Sequence, residues 1–137
     1  MGQRHVVARV SDFDGTDRKR VEVKGRGIVI FRLGEEWFGM TDRCPHMGGS
    51  LCQGHLISLV EADRPGEIRV SRENEIIRCP WHGWEFDIRT GQSRVRPARW
   101  RTRTVGVSVV DAAEAGTVGD LETFDVRQDG DYVVVEI

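Results

Sequence analysis

Two short stretches carry the residues best suited to chemistry. Residues 44–49 read Cys-Pro-His-Met-Gly-Gly, and residues 79–84 read Cys-Pro-Trp-His-Gly-Trp. Each sets a thiol and an imidazole close together on a loop punctuated by proline and glycine. Cys44, His46, Cys79 and His82 thus offer two sulfur and two nitrogen ligands from two turns, a set that points to a metal centre. A lone cysteine is most often a small buried hydrophobe and a lone histidine a surface or hydrogen-bonded residue. Cys52 and His55 are read that way; the two matched pairs are not. Ligand type and spacing admit two centres: zinc in a Cys2His2 shell, or a two-iron cluster in which histidines replace two of the four cysteines.

The elements that must position these loops are short strands. Val6, Ala8 and Val10 are spaced to share one strand face. GIVIFRL (27–33) is apolar throughout and reads as a strand buried on both sides. Gly34-Glu35-Glu36 then forms a turn into WFGMT (37–41), making a hairpin. EIRV (67–70) and EIIRC (75–79) flank SREN and suggest a second hairpin. WEFDI (84–88) alternates, and Arg89-Thr90-Gly91 offers a turn before QSRV. VGVSVV alternates at Val105, Val107 and Val109, and YVVVEI (132–137) is β-branched strand. Only DAAEA (111–115) hints at helix. Sixteen glycines and many short strands predict an all-β fold, an antiparallel barrel or sandwich.

Composition removes several function classes. A chain of 137 residues fits a single domain spanning 1–137. A net charge of −2 gives no general argument for nucleic acid or a membrane surface. No apolar run approaches a bilayer span, and MGQRHVVARV lacks the apolar region of a signal peptide. Three irregularly spaced cysteines are a poor disulfide framework and suit a reducing compartment, so a cytoplasmic location is expected. There is no dinucleotide fingerprint and no P-loop; GRGIVI (25–30) has too few glycines and leads into a strand.

C-P-H-x-G-G followed by C-P-W-H-G-W-x-F-D resembles the signature of the Rieske iron–sulfur family, C-x-H then C-x-x-H. TGQSRVRP (90–97) is similar to the segment that carries the family's proline loop, with Pro97 in the covering position. The resemblance implies an all-β Rieske fold with a small two-loop cluster-binding subdomain over about 42–97. It also implies one [2Fe–2S] cluster, with Cys44 and Cys79 on the inner iron and His46 and His82 on the outer one. Gly48, Gly49 and Gly83 would let backbone N–H groups approach the sulfurs, and Trp81 and Trp84 would shield the cluster. One departure stands out: 32 residues separate His46 from Cys79, where typical members have about half that number. The additional material, about 56–76, reads as a long hairpin emerging near the cluster.

Formal charge explains the mixed ligands. Two thiolates and two neutral imidazoles bring an oxidised two-iron, two-sulfide cluster to zero, whereas four thiolates leave it at minus two. Less negative charge eases reduction, so histidine ligation raises the potential. High-potential family members resemble one another in a serine after the second His-Gly pair, a tyrosine two positions later and a disulfide between the loops. Here those positions hold Trp84, Phe86 and Trp81, which implies a centre near the low end of the Rieske range.

The resemblance implies a ferredoxin that takes electrons from a flavin-dependent NAD(P)H reductase and passes them to an oxygenase or another oxidoreductase. Only His5 and His55 remain for a mononuclear iron site, so substrate oxidation by this chain alone is not expected. Two alternatives stand beside it: a small accessory subunit like that of assimilatory nitrite reductases, and a zinc-stabilised binding module. Met47, Leu51 and Trp81 either form a small apolar contact patch or pack beneath the loops. Six arginines fill 89–103 with no acid between them. Arg94, Arg96 and their neighbours either steer an acidic partner or form a solvated face balanced by acids such as Asp120, Glu122, Asp125, Asp129 and Asp131. Oligomeric state is not legible.

Overall fold

The computed structural model describes residues 3–43, 49–80, 83–94, 101–118 and 130–137, with backbone only over 58–64 and 67–74. The chain falls into two compact units, 1–41 with 104–137, and 42–103.

The first unit is a six-stranded antiparallel sheet. Its strands are β1 (Arg4–Arg9), β2 (Arg18–Val23), β3 (Arg26–Leu33), β4 (Glu36–Thr41), β8 (Thr104–Asp111) and β9 (Asp131–Glu136), in the order β1-β9-β8-β4-β3-β2. Strand β3 buries Ile28, Val29, Ile30 and Phe31 in succession, as its unbroken apolar run predicts. It turns into β4 through Gly34 at φ +65, and Leu33 pairs with Glu36. Strand β9 likewise buries Tyr132 through Val135. Alternation sends Val133 and Val135 to one apolar cluster with Ala8, Phe13, Val23, Ile28 and Ile30, and Tyr132 and Val134 to another with Val6, Val110, Ala115 and Val118. Phe13 meets Trp37 edge-on at 4.9 Å between ring centroids.

Two local readings need correction, and one strand lies where no strand was expected. Val6, Ala8 and Val10 do not share a face. A bulge between Val6 and Ala8 shifts the register with β9, so Val6 sits opposite Val134 and Ala8 opposite Val133, in different clusters, and Val10 opens a 3-10 turn. An extra residue inverts the side-chain alternation beyond it. In β8, Val105 and Val107 pack as expected, but Val109 is exposed and Val110 is buried instead. Strand β2, which has few apolar residues, carried no clear strand signal; it forms because β3 supplies its backbone partners through a turn at Lys24-Gly25, both at positive φ. The hint of helix at DAAEA is real but one turn long: α1 (Ala112–Ala115), with Asp111 Oδ1 accepting from Glu114 N at 2.8 Å.

The second unit holds β5 (His55–Arg64), β6 (Glu67–Arg78) and β7 (Glu85–Asp87), antiparallel in that order. The turn between β5 and β6 is Pro65-Gly66, with Gly66 at φ +87. SREN is therefore not a turn. Strand β6 continues through 71–74, but its register with β5 jumps there, from Ile76 opposite Ile57 to Ser71 opposite Leu59, so the segment is an irregularity within the ladder and not a hairpin turn. The turn expected at Arg89-Thr90-Gly91 is present, closed by Gly91 N to Asp87 O at 2.7 Å and Asp87 N to Gln92 O at 2.9 Å. Of QSRV, the described Gln92 and Ser93 form isolated bridges, Gln92 to Arg101 and Ser93 to Phe86, and Val95 lies outside the described residues.

Candidate metal centre

The β5–β6 hairpin explains how two loops far apart in sequence come together. The first loop runs into β5, and β6 runs into the second. Antiparallel pairing places His55 opposite Arg78, so both loop bases lie at the open end of one hairpin. The turn at Pro65-Gly66 lies at the other end, roughly 30 Å along the strands at the usual rise per residue. The insertion thus leaves from the loop bases but carries its tip away from them.

Each loop is pinned where it starts and ends. Asp42, buried at 8% exposure, accepts Ser50 Oγ at 2.8 Å and Cys52 N at 2.7 Å, tying the two ends of the 43–49 segment. A carboxylate holding a backbone N–H and a hydroxyl across a loop acts as a staple. Leu51–Gln53 then forms a 3-10 turn, and Gly54 N donates to Leu51 O at 3.0 Å. Gly54 must be glycine for space: a Cβ there would lie 2.1 Å from Arg78 O. The second loop is closed by Cys79 N to Trp84 O at 2.7 Å, one step inside the Arg78–Glu85 strand pair. Gly83 sits at φ +70, which a side chain would strain.

Within this unit, Leu51, Ile76, Ile77, Phe86 and Ile88 are buried. Leu51 is fully buried, so it does not belong to an apolar contact patch; the packing alternative holds for it. Ser93 and Thr102 are buried polar residues, and Thr102 N donates to Gly91 O at 2.8 Å. Glu85, through its two carboxylate oxygens, meets Arg78 at 3.0 Å and Arg94 at 2.9 Å. Arg89 pairs with Glu75. Arg89 and Arg94 therefore meet acids in space, although the run lacks them in sequence.

Of the expected ligands, Cys79 is described: its residue is 1% exposed, and neither it nor the half-buried Cys52 forms a disulfide. Cys44, His46 and His82 lie outside the described residues, as do Gly48, Trp81 and Pro97. Gly49 is buried and Trp84 half-buried, beside the loop ends. His55 is exposed at the start of β5, in keeping with its ordinary reading. Among the described residues no group of three His, Cys, Asp or Glu side chains is gathered. A buried thiol on a glycine-shaped loop, followed three positions on by histidine, fits an iron–sulfur cluster by ligand chemistry and by exclusion of water. Asp42 and Glu85 are the contributors that sequence reasoning missed. Asp42 binds partners eight and ten residues away, and no local pattern marks such a bond.

Comparison with known proteins agrees. A model of the Rieske [2Fe–2S] domain matches residues 3–125. The anthranilate 1,2-dioxygenase ferredoxin subunit of Burkholderia cepacia is 28% identical over 116 residues, 84% of this chain and 92% of that one. Among solved structures, the ferredoxin of carbazole 1,9a-dioxygenase from Nocardioides aromaticivorans IC177 superposes with a TM-score of 0.64 at 20% identity, covering 97% of this chain and 96% of the other. A complex of reduced oxygenase and oxidised ferredoxin in carbazole 1,9a-dioxygenase matches at a TM-score of 0.61 and 20% identity, over 96% of this chain and 91% of that chain. The all-β architecture is that of these ferredoxins, and the chain belongs to the Rieske [2Fe–2S] domain family.

Proposed function

We propose that this protein is a one-electron carrier, a Rieske ferredoxin serving an oxygenase system, and not itself the oxidising enzyme. The carrying observation is the pair of pinned loops at one end of the β5–β6 hairpin, with buried Cys79 in one of them. Cys44, His46, Cys79 and His82 hold the [2Fe–2S] cluster, within a cluster-binding subdomain of about 42–97. When bound, the cluster accepts and releases single electrons. The chain's own residues keep it in place: Asp42 fixes the ends of the first loop, the Cys79–Trp84 bond closes the second, and Phe86 and Leu51 keep water from beneath. Electrons arrive from a flavin-dependent NAD(P)H reductase and leave to a terminal oxygenase or related oxidoreductase; that the similar Burkholderia cepacia protein is a dioxygenase ferredoxin subunit supports this reading. No helix among the described residues is long and apolar enough to cross a membrane; with the reducing-compartment cysteines, this supports a cytoplasmic location.

Electron paramagnetic resonance on the dithionite-reduced protein, beside an iron and zinc assay, tests the reading. The expected result is the rhombic, low-average-g signal of a Rieske centre with iron bound. Zinc and no signal overturn it. The potential is expected near the lower end of the Rieske range of about −150 to +300 mV, because Trp84 and Phe86 bring no hydroxyl to the sulfurs. A redox titration with a midpoint well above zero contradicts that expectation.

A further inference from the structure

The two units carry opposite charge. Residues 42–103 hold 11 arginines, no lysine and eight acids, a net of +3. The remaining residues hold nine cations and 14 acids, a net of −5. The whole-chain value of −2 conceals this difference.

Side-chain placement sharpens it. In residues 42–103 the arginines with described side chains are Arg43, Arg78, Arg89, Arg94, Arg101 and Arg103, and all are exposed. The acids with described side chains are Asp42, Glu75, Glu85 and Asp87, and none is exposed. Each acid is held by an internal task. Asp42 binds Ser50 and Cys52, Asp87 accepts from Arg89 N at 2.9 Å, Glu75 pairs with Arg89, and Glu85 lies between two guanidiniums. The Glu85 side chain is 19% exposed, against 50% for Arg78 and 42% for Arg94. Arg43, Arg101 and Arg103 form no ion pair with a described residue, and Arg43 directly precedes Cys44. Among the described side chains, solvent therefore meets guanidinium more than carboxylate, and such a surface sets long-range attraction more than local pairs do.

We propose that residues 42–103 form a basic docking surface and that the redox partner meets it with an acidic face, Arg43, Arg101 and Arg103 supplying charge that no described acid neutralises. The proposal rests on the electron-carrier reading and names the kind of partner. Arginine suits the task, since its planar fork pairs with carboxylates in two-point fashion. Such complementarity governs encounter rate and partner choice more than final affinity.

Two oxidants of opposite charge provide the test. The reduced protein would be mixed with hexacyanoferrate(III) or with tris(phenanthroline)cobalt(III), each of which takes one electron. Ionic strength would run from about 0.01 to 1 M. The anionic oxidant should slow as salt rises and the cationic one should not, opposite to what net −2 dictates. Removing Arg101 and Arg103 (R101Q/R103Q) should cost roughly three- to tenfold in the anionic rate at low salt. The pair K24N/R26Q changes net charge equally in the other unit and should have little effect. Salt slopes that follow net charge, or equal effects of the two pairs, overturn the proposal. An amide-resolved NMR titration with a poly-glutamate peptide needs no electron transfer. Shifts clustered within 42–103 are expected there, and shifts elsewhere or none also overturn it. Absence of the cluster would defeat the carrier reading through its resonance signal, while the peptide titration would still decide the charge proposal.

Discussion

The two units of this chain are stabilised by different physics. Residues 1–41 with 104–137 form an extended sheet whose β3 and β9 are buried on successive residues, so apolar burial dominates. Residues 42–103 bury a shorter apolar set around Leu51, Ile76, Ile77, Phe86 and Ile88. Much of what fixes their loops is polar: Asp42 across the first loop, Cys79–Trp84 across the second, and Glu85 between two arginines. The difference teaches where a bound cluster matters. A region with a full apolar core can fold without it, whereas under the proposed ligand set a region fixed largely by polar contacts gains more of its stability from the bound group.

The strongest way to break that comparison is to remove a ligand. Cys79→Ser should abolish visible colour and the resonance signal, with iron at background. Cys52→Ser should retain all three. Amide exchange should then separate the units: Ile77 and Phe86 lose protection in the Cys79 variant, while Val133–Val135 in β9 keep theirs. Equal loss of protection in both units would mean that they are one cooperative body in which the cluster supports everything.

The converse change attacks the apolar unit. Ile30→Ala removes a fully buried side chain of β3 and should cost about 2–5 kcal/mol. Thermal denaturation should report it as a lower midpoint, with the resonance line shape unchanged. Asp42→Ala should cost less, about 1–3 kcal/mol, since half-buried Cys52 leaves room for water to replace part of the lost bonding. Its distinctive readout is faster iron release to a chelator. If Ile30→Ala released iron as fast as Asp42→Ala does, the contrast between an apolar scaffold and a polar-pinned site would fail.

How much of this was legible beforehand follows the same division. In the sheet unit, β3 and β9 could be read because burial on both faces leaves long β-branched runs. The two Cys/His pairs stood out because metal chemistry demands rare residue types at close spacing; of the four, Cys79 lies among the described residues. The bulge after Val6 could not, since one inserted residue changes facing without changing composition. The β5–β6 hairpin was read as an insertion, but SREN was mistaken for its kind of turn, although Pro65-Gly66 carried the stronger signal. The Asp42 staple and the Arg78–Glu85–Arg94 group depend on pairs distant in sequence, which only the folded backbone brings together. Arg89 and Arg94 looked unopposed for the same reason.

A smaller effect sharpens the comparison at two glycines. A Cβ at Gly39, in β4, would meet Val105 and Val107 methyl carbons, each at 2.7 Å. A Cβ at Gly54 would meet the Arg78 carbonyl oxygen at 2.1 Å and the Leu51 oxygen at 3.1 Å. Both substitutions overpack, and each is expected to cost about 1–3 kcal/mol. The consequences should differ in kind. Gly39→Ala pushes on side chains that are only partly buried, so the sheet can relax outward and only the denaturation midpoint should fall. Gly54→Ala pushes backbone against backbone where the two loop bases meet, so relief requires the end of β5 to part from the end of β6. That movement should shift the reduction potential and the resonance g values as well as the denaturation midpoint. Identical spectra for the two variants, at matched loss of stability, would mean that the loop ends tolerate displacement and that the hairpin does not set the geometry of the site.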